Sequence, residues 1–127
     1  MVEYFDREEV VPLFSEWRRV LKTSGILRLA VPNFENIASL YSRGSYPLSN
    51  FVGLLYGKMP MGNQTIYHKT TYDFESLKKV LESSRFKNVR LYDWRTTSHS
   101  EFDDHSQAYL PHMDKECGTL MSLNVEC

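Results

Sequence analysis

The segment Glu16-Trp17-Arg18-Arg19-Val20-Leu21-Lys22-Thr23-Ser24-Gly25-Ile26-Leu27-Arg28-Leu29-Ala30-Val31-Pro32-Asn33 constrains the fold more than any other part of the chain. It reads as a helix, a tight turn and a buried strand in immediate succession. Ile26 to Val31 is apolar except for Arg28, the pattern of a strand covered on both faces. A helix feeding such a strand belongs to a parallel sheet, which needs an earlier strand ahead of the helix. Only Met1 to Phe5 are available for that strand. The chain is therefore expected to enter a repeating β–α–β pattern part-way. In open α/β sheets the ligand crevice lies at the carboxyl ends of the strands, usually in the half expected to be missing.

The flanking residues fit the same pattern. Asp6-Arg7-Glu8-Glu9 reads as a capping box, with Phe5 and Val10 placed for a hydrophobic staple. Val10, Leu13, Phe14, Trp17, Val20 and Leu21 follow helical spacing, and Pro12 predicts a kink or a short first turn. Gly25 suits a left-handed position just past the helix. Pro32 ends the strand, and Asn33 caps a second helix with Phe34, Ile37, Ala38 and Tyr41 on one face and Gly44 as its stop. A third helix is expected over Leu48–Tyr56, closed by Gly57, followed by a loop from Lys58 to Thr71. Asp73 caps a helix that buries Phe74, Leu77, Val80 and Leu81. Val89–Tyr92 reads as a strand, Thr96–Gly118 as a long polar excursion with a short helix near Ser106–Leu110. A last strand alternates Met121, Leu123 and Val125 with Ser122, Asn124 and Glu126. Strands alternating with helices make an α/β domain.

Composition removes several function classes. The 127 residues allow one domain with a real core and are too few for two. The net charge of -1 offers no basic stripe, so nucleic acid is not an expected partner. No apolar run is long enough to span a bilayer, and neither a membrane partner nor a signal peptide is expected. Cys117 and Cys127 form no disulfide framework and are read as reduced thiols of a cytoplasmic protein.

Two polar groups carry candidate chemistry. His68, Lys69, Tyr72 and Asp73 could line a substrate pocket, with His68 as proton acceptor, or Asp73 simply caps its helix. His99, Asp103, Asp104, His105, His112 and Asp114 form the densest polar cluster. Its spacing matches no metal-ligand motif, so no metal is expected, and solvated-loop or substrate contacts remain the alternatives. Cys117 reads as a plain thiol.

The pattern resembles a known family. Glu16-Trp17-Arg18-Arg19-Val20-Leu21-Lys22-Thr23-Ser24-Gly25 is similar to the segment after the fourth strand of class I SAM-dependent methyltransferases, where a Glu-x-x-Arg-Val-Leu-Lys helix ends in Pro-Gly-Gly. Val2-Glu3-Tyr4-Phe5 resembles the end of that fourth strand in the type 11 branch, with Tyr4 where His is usual. Leu29-Ala30-Val31-Pro32-Asn33 resembles the end of the fifth. His68-Lys69-Thr70-Thr71-Tyr72-Asp73, Phe86-Lys87-Asn88-Val89 and Asp103-Asp104-His105-Ser106-Gln107-Ala108-Tyr109-Leu110-Pro111-His112-Met113 resemble later segments of the same branch.

The resemblance implies a partial Rossmann-like sheet with strands equivalent to 4/5-7-6, the seventh antiparallel between the fifth and sixth, and the first half of the fold absent. It implies S-adenosylmethionine as cofactor, yet none of the six glycines forms the family's Gly-x-Gly-x-Gly loop. On this basis Glu3 and Tyr4 are cofactor-side residues. His68 and Asp104 are the candidate bases, and Lys69, Tyr72, Asp103, His105, Tyr109 and His112 face a small-molecule acceptor. Two functions are expected: the acceptor half of a methyltransferase, inactive without a complementing chain, or a non-catalytic interaction module. In both, Ile26–Val31 becomes an edge strand that invites a homodimer or a complementing partner.

Overall fold

The computed structural model describes residues 1–127 as a mixed α/β domain with four α-helices and small antiparallel sheets. Helix α1 spans Val10–Val20, α2 Phe34–Ser42, α3 Val52–Tyr56 and α4 Phe74–Ser83. Strands are β1 Arg28–Pro32, β2 Met59–Met61, β3 Gln64–Ile66, β4 Arg90–Leu91, β5 Tyr109–Leu110, β6 Thr119–Leu120 and β7 Ser122–Glu126. The main sheet has the order β1-β7-β4, with β7 antiparallel to both neighbours. Strands β2 and β3 form one hairpin, and β5 and β6 form a separate two-stranded sheet.

The main core lies on one face of the sheet. Leu29, Val31, Leu123 and Val125 point to it, and Val10 and Phe14 of α1 with Leu77 and Leu81 of α4 cover them. A smaller core joins Ile37 and Leu40 of α2 to Phe51 and Met121. The alternation of β7 is real, but its second face is covered too: Ser122, Asn124 and Glu126 are buried beside Leu123 and Val125. That polar face is satisfied internally. Asn124 Nδ2 donates to the Ser106 carbonyl at 2.9 Å, and the Ser122 hydroxyl donates to Asn124 Oδ1 at 2.7 Å.

Several sequence expectations need correction. Val2–Tyr4 is a 3-10 turn, not a strand, because no neighbouring strand pairs with it. Of the two expectations for Pro12, the short first turn is present: residues 7–9 form a turn closed by Val10 N donating to the Asp6 carbonyl at 3.1 Å, and Pro12 lies in the first turn of α1 that follows. The capping box does form ahead of it, with Glu9 N donating to Asp6 at 2.8 Å and Asp6 N to Glu9 at 3.0 Å. Gly25 is absent from the positive-φ residues. It is needed instead for space, because a Cβ there would meet Leu21 Cδ2 and the Lys22 carbonyl at about 3 Å. Strand β1 begins at Arg28, and Ile26 is exposed.

The buried side of α2 is Ile37 and Leu40, while Phe34 and Tyr41 of the expected face are exposed. Leu48–Tyr56 divides into a 3-10 turn, Leu48–Asn50, and α3. The stretch expected as a loop contains the β2–β3 hairpin. The strand at 89–92 is only Arg90–Leu91, and the helix near 106–110 is a 3-10 turn at His105–Gln107 followed by β5. Asp73 caps α4 as expected, exchanging hydrogen bonds with Ser76.

Candidate functional site

The N-terminal 3-10 turn brings Glu3 and Tyr4 against the segment ahead of α4. Glu3 is buried, and its carbonyl accepts from Lys69 N at 2.7 Å. Glu3 Oε1 lies 3.4 Å from His68 Nε2, in a setting where the His68 side chain is only 6% exposed. The other imidazole nitrogen, Nδ1, lies 3.0 Å from the Leu54 carbonyl, which can only accept, so Nδ1 carries the proton. The Tyr4 ring stands edge-on to His68 at 4.7 Å, and its hydroxyl donates to the Gly57 carbonyl. Burial, with Glu3 beside it, pushes the Tyr4 phenol up. Five candidate residues, Glu3, Tyr4, His68, Lys69 and Tyr72, thus belong to one neighbourhood. Within the group only Glu3 bonds other members, its carboxylate facing His68 and its carbonyl accepting from Lys69 N; Tyr4 and His68 Nδ1 donate to the Gly57 and Leu54 carbonyls.

Tyr72 is nearly inaccessible and its hydroxyl has no hydrogen-bond partner. The Arg7 guanidinium sits over its ring at 4.4 Å. Burial raises the Tyr72 phenol, Arg7 opposes this, and Glu3 and Asp6 add to it. Lys69 leaves the cluster through its side chain, which bonds Glu9 at 2.8 Å.

The second neighbourhood is open. A groove of about 600 Å³ is lined by Asn50, Leu54, Asp103, Asp104, His105, Gln107, Ala108, Tyr109, Leu110, His112, Met113 and Met121. All five candidates from the polar excursion, Asp103, Asp104, His105, Tyr109 and His112, line it. Tyr109 is buried and accepts from Trp94 Nε1 and Arg95 at 3.1 Å, so its hydroxyl is structural. Gln107 is held from both ends by Ser100, Phe102 and Lys115. On the rim, Asp103 pairs with Lys115 at 3.8 Å and Asp104 with Ser106, while the side chains of Asn50, His105 and His112 make no hydrogen bond within the chain.

Asp104 and His105 also line a smaller cavity, about 340 Å³, with Met1, Val2, Trp17, Arg28, Leu29, Ala30, Tyr92, His99 and Ser106. It wraps the outer edge of β1. Burial alone would push the Asp104 carboxyl up. The Ser106 hydroxyl and N–H, with His99 and His105 nearby, outweigh this and hold it below the usual carboxylate range. His99 Nδ1 lies 3.4 Å from Asp104 Oδ2. The imidazole and the carboxylate share the cavity wall, but the contact does not make a hydrogen bond, and His99 Nδ1 is buried without a partner. The sequence groups His99 with the polar cluster without pairing it. The Asp-x-Ser spacing was the available signal, because it marks a side chain turned back onto its own backbone. Arg28 and Tyr92 carry no such signal, since only strand pairing brings them there.

His68 and Asp104, the two candidate bases, are not brought together, and His68 lines neither cavity. No group of three or more His, Cys, Asp or Glu side chains is arranged to hold a metal. The residues present do not fit S-adenosylmethionine. Glu3 and Tyr4 direct their polar atoms within the chain. Gly44, Gly57 and Gly62, the glycines with positive φ, sit in separate turns, and the His68 ring fills the space beside Gly57. Comparison with protein-family models, characterised proteins and solved structures returns no match.

Proposed function

We propose that this chain is the acceptor-side half of a SAM-dependent methyltransferase-like fold, with β1, β4 and β7 equivalent to the fifth, sixth and seventh strands. One observation carries the reading: β7 lies between β1 and β4 and runs antiparallel to both. That is the order implied by the resemblance of the sequence motifs. In this reading the groove of about 600 Å³ receives a small-molecule acceptor. Asp104, kept ionised, lines this groove, and His99 at 3.4 Å from it lines the smaller cavity that Asp104 also borders. His68 holds the Glu3–Tyr4 turn against α3 and acts as a positioning residue. In this reading the cofactor contacts belong to the glycine-rich part of the fold, which these residues do not include.

Calorimetric titration of S-adenosylmethionine into the purified chain tests this. No micromolar binding is expected from the chain alone. A micromolar Kd would overturn the assignment of the cofactor contacts to residues outside this segment.

A second reading, a non-catalytic interaction module, is favoured by the open edge of β1. Leu27 exchanges hydrogen bonds with Cys127, and Asn33 N donates to Met121, so the odd-numbered residues face β7. Arg28, Ala30 and Pro32 therefore turn their main-chain groups away from it. The 340 Å³ cavity runs along that edge, walled by Val2 and Trp17 on one side and Tyr92 and His99 on the other. An extended strand from a partner would satisfy these groups.

A further inference from the structure

The groove of about 600 Å³ joins two segments far apart in sequence, with Asn50 and Leu54 from one and residues 103–113 from the other. Leu54, Leu110, Met113 and Met121 give it an apolar lining, and the two unbranched thioethers can adapt to the shape of a bound hydrophobic body. No lysine or arginine lines it, and its two carboxylates are those of Asp103 and Asp104. Two cations bond its lining residues and are already engaged. Lys115 Nζ donates to Gln107 Oε1 at 2.6 Å and lies 3.8 Å from Asp103. Arg95 donates to the Tyr109 hydroxyl and to the Lys115 carbonyl. Lys115 therefore offsets part of the Asp103 charge. Asp104 has no lysine or arginine partner: its Oδ1 accepts from the N–H and hydroxyl of Ser106, both neutral, and its Oδ2 makes no hydrogen bond. His99, 3.4 Å from that oxygen, does not line this groove. Asn50, His105 and His112 on the rim each add a further acceptor.

We propose that this groove binds an organic amine in its ammonium form, with the cation at Asp104 and Asp103 and the apolar body against Leu54, Met113 and Met121. An ammonium donates several hydrogen bonds and accepts none, which matches a lining that offers carboxylates and neutral acceptors but no cation. A carboxylate or phosphate ligand would meet two like charges and no free guanidinium or ammonium. A bare metal ion is a poorer match, since no three acidic, histidine or cysteine side chains are arranged to hold one and the apolar lining would stay uncovered. On the methyltransferase reading, on which this assignment rests, the amine is the methyl acceptor; its binding needs neither cofactor nor turnover.

Three probes of one shape and different charge test the proposal at neutral pH: phenethylamine, a cation, 2-phenylethanol, which is neutral, and phenylacetate, an anion. Each is titrated into the full chain carrying carbon-13 methyl-labelled methionine and followed by NMR. Phenethylamine is expected to shift the Met113 and Met121 methyl signals and to bind about tenfold more tightly than 2-phenylethanol, the worth of one charge-assisted hydrogen bond, with phenylacetate weakest. Asp104→Asn keeps an acceptor for the Ser106 N–H and should remove most of the amine's advantage. Glu116→Gln removes an exposed carboxylate outside the groove and should leave the ranking unchanged, which separates a local contact from net charge. Equal binding of the three probes, tighter binding of phenylacetate, no binding at all, or shifts confined to the other methionines would overturn the proposal. A preference for 2-phenylethanol with the Met113 and Met121 shifts would overturn the amine while leaving the groove as the acceptor site. Micromolar binding of S-adenosylmethionine to the chain would strike at the methyltransferase reading and leave the amine result standing.

Discussion

Gly57 and His68 share one small space. Gly57 closes α3 with φ of 51°, and a Cβ on it would overlap the His68 ring. Gly62 has a similar φ of 60° with open space around it. Gly57→Ala should therefore cost about 2–4 kcal/mol, and Gly62→Ala about 1 kcal/mol, because only the first adds a steric clash to backbone strain. Urea titrations of both variants measure the difference. Tyr72 gives the opposite case. Its buried hydroxyl has no partner, so Tyr72→Phe should change stability by less than about 1 kcal/mol in either direction. A large loss in urea titration would mean the hydroxyl is satisfied in solution. At this scale the sequence is readable where a side chain bonds its own backbone, as Asp73 does with Ser76 and Asp6 with Glu9. It is unreadable where two distant residues meet, as Glu3 and His68 do.

Across the three strands of the main sheet, one row reads Arg28, Glu126, Arg90. Glu126 bonds both guanidinium groups, Arg28 at 2.9 Å and Arg90 at 3.0 Å. Burial pushes its carboxyl up, but the two arginines prevail and hold it below its ordinary value of 4.5. The folded state therefore favours the ionised form. The resulting stabilisation is complete above the ordinary value and disappears as pH falls through the depressed folded one. Glu126→Gln should destabilise by about 1–3 kcal/mol at neutral pH, discounted for the exposed flank of Arg90. The gap to the parent should narrow below about pH 4.5, followed by thermal unfolding at a series of pH values. Long elements were legible because period and cap agreed, as in α4. The β2–β3 hairpin escaped because its strands are three residues each and one contains Pro60, too short for a period to show. Gly62-Asn63, the two residues between them, was the remaining signal. The polar face of β7 was legible, but its burial was not, because alternation reports which side is polar and says nothing about whether another segment covers it.

For the molecule as a whole, the exposed edge of β1 sets the behaviour of the interaction-module reading. Ala30→Pro removes an N–H that points away from β7, leaving the β1–β7 ladder bonds in place. If the edge recruits a strand from another copy, light scattering should show association in the parent chain and a monomer in this variant. A parent that stays monomeric at high concentration would exclude self-pairing along β1. The α/β class and the position of the strand after α1 were legible in the sequence, whereas the two cavities were not, because both are formed by segments that meet only after folding. The central place of β7 has a further consequence for synthesis. Arg28–Pro32 and Arg90–Leu91 do not pair with each other; each pairs only with residues 122–126. While the chain is being made, the first two strands must wait beside the ribosome without a partner. The sheet can close only when its middle, made after both of its flanks, has emerged, so closure waits for residues 122–126 and depends on contacts of long sequence separation.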